Sequence, residues 1–366
     1  TYRRAVMSDI GETRSVRRLQ KFAFLKSYFW DMSNNIILVS LIVILTGCKV
    51  SGDRIVETES IVPYKTVSEI SDSVFFRNIP QILFYNETFY LLDLDFARIL
   101  ICDKNLKLSK VIGKKGSGPG ELLYPSEIVL THDSLIAVKD YNSINFLNHD
   151  GVFIRRMKFD EPLEDLRFIV QKDNSILIPT LYSDFPITHF DSTGKVINKY
   201  GSEFKLEKYD LSRDRINGRA LFKLGEDRIV TVGEVMPIIE IYSSEGDLIL
   251  SKTILDEQIT YKAQQAYEKM SLEKNLSVLF YTDVCLFENK VFILKSISGQ
   301  KENGEYLNKK LIYIIDLTDN DASITRILEL NMPENDRSLI TSFCVVDNNN
   351  LVTYDYISGG FSFYRY

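Results

Sequence analysis

Asp133-Ser-Leu-Ile-Ala-Val-Lys-Asp140 is a turn signal followed by a β-rich apolar run, and the same device recurs along the chain. It appears at Glu87-Thr-Phe-Tyr-Leu-Leu-Asp93, Asn174-Ser-Ile-Leu-Ile-Pro-Thr180 and Asp227-Arg-Ile-Val-Thr-Val-Gly233. Two further copies are Asn289-Lys-Val-Phe-Ile-Leu-Lys295 and Asn349-Asn-Leu-Val-Thr-Tyr-Asp355. The six starts are 46, 41, 53, 62 and 60 residues apart. Each copy follows another apolar run, such as Ser126 to Leu130 or Ser342 to Val346, and precedes a third, such as Arg98-Ile-Leu-Ile-Cys102 or Phe361-Ser-Phe-Tyr364. Tight turns at Asp150-Gly151, Thr193-Gly194 and Glu245-Gly246 then lead into a fourth run. Glycine takes positive φ freely, so such pairs between apolar runs mark hairpins.

The unit is therefore a four-stranded antiparallel meander, and six of them at this spacing predict an all-β, six-bladed β-propeller. The sixth unit ends with the sequence at Tyr366, straight after its third strand. A β-rich segment near Arg54 to Val67 is expected to supply the missing strand, because an unpaired edge would be exposed. A pair of β-sandwiches accounts for neither the six-fold repeat nor the missing strand. One segment has a different period. Asp256 to Leu276 places Ile259, Ala263, Ala266, Tyr267 and Met270 at helical spacing, which predicts a helical insertion between blades four and five. The charged stretch Lys205 to Arg219 is expected to be an inter-blade loop.

The N-terminal segment differs from the rest. Residues 1–31 carry seven basic side chains against three acidic ones, and an uncharged apolar run follows from Ile36 to Leu45. That run has the length of a signal-peptide h-region and is short for a bilayer span. It ends in Leu45-Thr-Gly-Cys48, which resembles the bacterial lipobox. The resemblance implies cleavage before Cys48 and a lipid on its thiol; the bland alternative is a short buried strand with an incidental Cys. The expected organisation is residues 1–47 as N-terminal extension and lipoprotein signal peptide, 48–53 as lipid-anchored linker, and 54–366 as the propeller. Cys102, Cys285 and Cys344 then remain, an odd number that argues against a disulfide framework. All three fall in strand-like runs and read as buried thiols.

Composition narrows the function classes. The chain of 366 residues is 45% hydrophobic and 26% charged, with 22 Phe and 20 Tyr against 1 Trp, a bias that suits strands. The net charge of −6 and the lack of a basic face outside the N-terminal segment argue against a nucleic-acid partner.

Gly113-Lys-Lys-Gly-Ser-Gly-Pro-Gly-Glu-Leu-Leu-Tyr-Pro125 resembles the loop that opens repeats in NHL-type propellers, and Asp133 to Gly151 continues the likeness. With the lipobox, the chain resembles the TolB-like or NHL-like six-bladed propeller lipoproteins of Bacteroidetes. The resemblance implies a cell-envelope location, periplasmic or outer-surface facing. The Gly-rich loop is a poor phosphate cradle: Lys114 and Lys115 precede most of the glycines, Pro119 interrupts, and a strand follows. It is expected to carry the chain tightly between blades. Asp93, Asp140 and Asp355 recur at the end of the second strands. Carboxylates in a channel can serve as acid, base or ligand, but repetition at one structural position favours turn shaping. His132 and His149 fall in turns on one face and His189 on an outer-lying strand, away from the face formed by the loops after the second and fourth strands. No nucleophile elbow, C-x-x-C or H-E-x-x-H is present. No catalytic residue, metal ligand or cofactor is therefore assigned.

Residues that differ between blades on that face are the candidate ligand contacts: Arg98, Tyr141, Tyr182, Glu234 and Tyr356. The leading expectation is a binding or scaffolding module for a protein or glycan partner, tethered to a membrane through Cys48. The alternatives are a propeller enzyme, a lyase or glycan-active hydrolase working at the channel mouth, and a structural subunit of an envelope complex.

Overall fold

The computed structural model describes residues 56–181, 183–202, 217–254, 280–300, 306–318, 320–331 and 338–366. Among the described residues every regular element is a strand. The chain enters through β1 (Thr58–Ile61) and β2 (Pro63–Val67). Blade one is β3 (Gln81–Tyr85), β4 (Thr88–Asp93), β5 (Arg98–Asp103) and β6 (Leu108–Ile112). Blade two is β7 (Pro125–Leu130), β8 (Ile136–Asp140), β9 (Ser143–Leu147) and β10 (Phe153–Lys158). Blade three is β11 (Ile169–Val170), β12 (Ile176–Pro179), β13 (Ile187–Phe190) and β14 (Val196–Tyr200). Blade four is β15 (Arg219–Leu224), β16 (Arg228–Gly233), β17 (Ile238–Ser243) and β18 (Leu248–Thr253). Blade five is β19 (Asp283–Phe287), β20 (Lys290–Gln300), β21 (Tyr306–Leu317) and β22 (Ala322–Leu330). Blade six is β23 (Ile340–Asp347), β24 (Asn350–Asp355) and β25 (Gly360–Arg365), completed by β2.

The continuous apolar runs of the second strands follow from burial on both faces. Side chains alternate across a strand. Phe89 and Leu91 of β4 therefore enter the core shared with blade six, whereas Tyr90 and Leu92 enter the core shared with blade two. Each of the six buried clusters joins one pair of neighbouring blades, and together they run round a closed ring. Phe146 and Ile178 share the core between blades two and three, Leu177 and Leu221 that between three and four, Val232 and Ile293 that between four and five, and Leu294 and Phe343 that between five and six. The fourth strands form the rim and are correspondingly open: four of the five residues of β14 are exposed.

Closure is by the N-terminal segment, as the missing strand requires, but in two pieces. β2 pairs antiparallel with β25, from Pro63 opposite Tyr364 to Val67 opposite Phe361. β1 instead runs parallel to β22 of blade five, from Thr58 opposite Ile327 to Ile61 opposite Leu330. Ile61 enters the core between blades five and six, and Glu59 pairs with Arg326 at 2.6 Å. Val62 at the break is exposed, and Pro63, which has no N–H to give a ladder, opens the second piece. Two other expectations change. The helical insertion at Asp256–Leu276 lies outside the described residues, and no helix occurs among those described. Arg219, expected at the end of a loop, opens β15 and is fully buried against Glu240 at 2.9 Å.

A chain starting at Ser68 would leave the edges of β22 and β25 unpaired. It is expected to melt at lower temperature than the full chain and to associate with rising concentration. Thermal unfolding and gel filtration test this; an unchanged melt would mean that the N-terminal segment does not hold the ring closed.

Candidate functional site

The innermost strands β3, β7, β11, β15, β19 and β23 surround a central channel, and polar side chains near their starts meet there. Arg167, two residues before β11, donates from one guanidinium nitrogen to Glu127 of β7 at 3.0 Å and from the other to Asp283 of β19 at 2.6 Å. All three side chains are at least 86% buried by accessible area, with exposures of 14%, 7% and 7%. The Arg167 carbonyl accepts from Leu221 N at 3.1 Å. The second oxygen of Asp283 accepts from Phe343 N at 2.9 Å. Gln81 exchanges two hydrogen bonds with the backbone of Ile128, at 2.6 and 3.0 Å. Ser342 donates to the Ile79 carbonyl at 2.5 Å. Arg167 thereby links blades two, three, four and five, while the other contacts close five to six, six to one and one to two.

Burial pushes the carboxyls of Glu127 and Asp283 above the usual carboxylate range, and the positive charge of Arg167 pulls them back. The same pairing raises Arg167, which stays charged. Lys139 lies opposite Glu127 in the ladder, donates to the Leu166 carbonyl and stands 5.7 Å from the Phe168 ring centre. Burial draws its ammonium down to about 8, against the pull of Glu127 and Asp165.

This plug divides the channel into two cups. One, about 340 Å³, opens on the face formed by the loops after the second and fourth strands. Its walls carry Asp165, Glu234, Tyr281 and Thr282 above the floor of Glu127, Arg167 and Asp283. The Glu234 carbonyl accepts from Phe280 N at 2.6 Å, and its N–H donates to Gly218, which fixes the wall. The second cup, about 470 Å³, opens on the face of the first-to-second-strand turns.

Of the residues expected at the ligand face, Glu234 alone lines the first cup; Tyr182 lies outside the described residues. Arg98 pairs with Asp93 at 2.8 Å, stacks 4.4 Å from the Phe96 ring centre and donates to the Phe75 carbonyl, which ties the incoming loop to blade one. Tyr141 is exposed beside Tyr124, with ring centres 6.3 Å apart, and Tyr356 packs against the core between blades six and one. The floor residues escaped sequence reading. Their available signal was a charged residue at the start of an otherwise apolar inner strand, as in Glu127-Ile128 and Asp283-Val284.

Of the three recurring aspartates, Asp93 pairs with Arg98, and the other two fasten loops. Asp140 accepts from the backbone N–H of Leu123 and Tyr124 at 2.9 and 2.5 Å, and Asp355 from Leu339 and Ile357 at 2.8 and 3.0 Å. Each thus clamps the chain just before its own blade's first strand. The Gly-rich loop presents carbonyls inward: Arg156 donates to Ser117, Gly118 and Glu121 at 3.2, 2.9 and 3.3 Å. Gly120 has φ of +75°, and a Cβ there would meet Phe153 at 3.2 Å. His149 bonds Tyr90 at 3.1 Å and His189 bonds Ser175 at 2.9 Å; His132 lines the second cup. Among the described residues no cluster of His, Cys, Asp and Glu could hold a metal. The three thiols are free, Cys102 and Cys344 buried and Cys285 half-buried rather than fully enclosed; desolvation raises Cys102 and Cys285 to about 12 and holds Cys344 well above the usual thiol range.

The family model described as a 6-bladed beta-propeller, DUF5128, matches residues 68–325. The chain belongs to that family. Among solved structures, the DUF5128 chain is similar to BF0058 of Bacteroides fragilis, whose name marks it as exported. The two are 15% identical with a TM-score of 0.52 over 81% of this chain and 88% of that one. It is also similar to virginiamycin B lyase from Staphylococcus aureus, at 9% identity and a TM-score of 0.50 over 82% of this chain and 99% of that one. At such identities the likeness is one of fold. No curated protein matches the sequence.

In this DUF5128 propeller, Arg167→Leu leaves two buried carboxylates without their cation. A loss of about 3–5 kcal/mol in unfolding free energy is expected at pH 7 by denaturant titration. A carboxyl raised in the folded state holds a proton that the unfolded chain releases, so stability grows as pH falls toward its folded value. The deficit of the variant should therefore shrink between about pH 7 and about pH 5. A deficit that is absent, or that widens on acidification, would contradict the ion triad.

Proposed function

We propose that the chain is a membrane-anchored extracytoplasmic binding module, which takes the hydroxyl- or amine-bearing end of a glycan in its acidic cup. The observation that carries this reading is the plug. It makes the cup blind and occupies Glu127 and Asp283 with Arg167, leaving a floor whose charges are already partnered. Above it, Asp165 offers an acceptor, and Thr282 and Ser126 offer hydroxyls, on a scale that suits one or two sugar rings rather than a protein loop. Acceptor-rich walls favour a donor-rich ligand. A lyase-type neighbour favours an enzyme, and the solved form of that lyase is a catalytically inactive His-to-Ala variant. In the present chain none of the three His lines this cup. Binding without turnover is the reading that accords with this.

Envelope location and lipid attachment rest on the basic segment, the apolar run and Leu45-Thr-Gly-Cys48, in the order an export signal needs. The exported B. fragilis neighbour and the NHL-like loop at Gly113–Pro125 agree with it.

A glycan array probed with the full chain should give binding that Asp165→Lys weakens by about tenfold or more, roughly 1.4 kcal/mol, with the glycan recovered intact. Release of shortened or unsaturated sugar would favour the enzyme, and binding indifferent to Asp165→Lys would place the ligand elsewhere. Cys48→Ser is expected to move the protein from the membrane to the soluble fraction and to abolish incorporation of labelled fatty acid. A variant that stays membrane-bound would remove the lipid anchor from the account.

A further inference from the structure

The second cup has a different chemistry from the first, and the glycan reading makes no use of it. It is the larger of the two, at about 470 Å³, within the size range of small-molecule pockets. Leu83, Leu130, Phe222 and Leu286 lie near the ends of four inner strands and line it. These side chains pack only partly against the inter-blade cores, so they offer apolar surface to the cup. Its rim is cationic. Lys172 and Lys223 come from blades three and four and His132 from blade two. One carboxylate, Glu226, faces them: Lys172 bonds it at 2.5 Å, and Lys223 and His132 both lower its pKa through space. That ion pair is largely exposed, 47% and 78%, so it contributes little stability and exchanges readily for another anion. Among the described residues Lys223 has no carboxylate within ion-pair distance. At the floor stand Arg167 and Glu127, already paired with each other at 3.0 Å, so the charge open to a ligand lies at the rim.

An apolar chamber closed at the bottom, with two lysines on one side of its mouth, fits a molecule with a hydrocarbon tail and a single anionic head. We propose that this cup is a binding site for a fatty monocarboxylate, its tail against Leu83, Leu130, Phe222 and Leu286 and its carboxylate at Lys223 and Lys172. The two mouths of the channel then serve ligands of opposite character, acceptor-lined on one face and cation-rimmed on the other.

Calorimetric titration of the full chain with decanoate tests this. One equivalent of decanoate is expected to bind, with acetate not binding detectably and decyltrimethylammonium binding at least about tenfold more weakly. The double variant Lys172→Gln, Lys223→Gln should weaken decanoate by about tenfold or more while leaving decanol binding and the melting curve unchanged. Leu286→Asp reads the tail contacts and should abolish both decanoate and decanol; with Leu130→Ser as the gentler variant, a folded protein is available for that measurement. Asp165→Lys at the other mouth should leave decanoate binding unchanged, which keeps this result separate from the glycan reading. No decanoate binding, equal binding of the cationic analogue, or affinity indifferent to the two lysine substitutions would overturn the proposal.

Discussion

Arg167 reaches into the middle of the ring and holds a carboxylate from blade two and another from blade five. Among the described residues, the other ion pairs and side-chain hydrogen bonds between blades join neighbours. The six apolar cores each glue one pair of blades, which is the nearest-neighbour logic of repeat proteins. Such a ring has nothing in its cores that fixes one blade against a blade beyond the next. The Arg167 triad supplies that constraint. It is costly to build, because three charges leave water, and a set of well-packed apolar residues could be as stable. What it adds is a definite geometry at the centre, where Arg167 joins blades two to five and Asp283, Ser342 and Gln81 carry the polar contacts on from five to six, six to one and one to two. It also sets where ligands can go, since the plug turns a through-channel into two separate cups.

The second constraint is closure. A propeller leaves one edge of its last blade open unless the chain returns to fill it. Here the N-terminal segment does so twice, antiparallel on β25 and parallel on β22, with Pro63 between. The two pieces seal adjacent blades, so the same ten residues, Thr58 to Val67, staple the first-made and last-made parts of the ring. The exposed rim strands elsewhere, β14 and β18, show what an unsealed edge presents to solvent.

The architecture was legible because burial on both faces of the second strands forces an apolar run, and six such runs with turn residues at their starts leave few alternatives. The closing strand was legible from the same logic, since blade six lacked one. Its division was not: Glu59 and Ile61 read equally well as part of one strand until Arg326 and the core between blades five and six claim them. The site was less legible. Differences between blades on the loop face pointed to Arg98, Tyr141 and Tyr356, yet Arg98 is consumed by Asp93 and Phe96, and Tyr356 by the core between blades six and one. Glu234 reaches the cup because its loop is short and Phe280 and Gly218 fix its backbone. Arg167 could not be singled out from pattern. A cation two residues before a two-residue strand looks like any solvated charge, and its partners lie 40 residues before it and 116 after it.

The central claim is that Glu127 and Asp283, on blades with two others between them, are coupled through one guanidinium. A double-mutant cycle on Glu127→Gln and Asp283→Asn, read by equilibrium unfolding, measures that coupling directly. The account predicts that the two losses are non-additive by about 0.5–3 kcal/mol. It further predicts that the coupling vanishes when the cycle is repeated in an Arg167→Leu background. Additive losses in the native background, or a coupling that persists without Arg167, would show that the centre of the ring is not held together in this way.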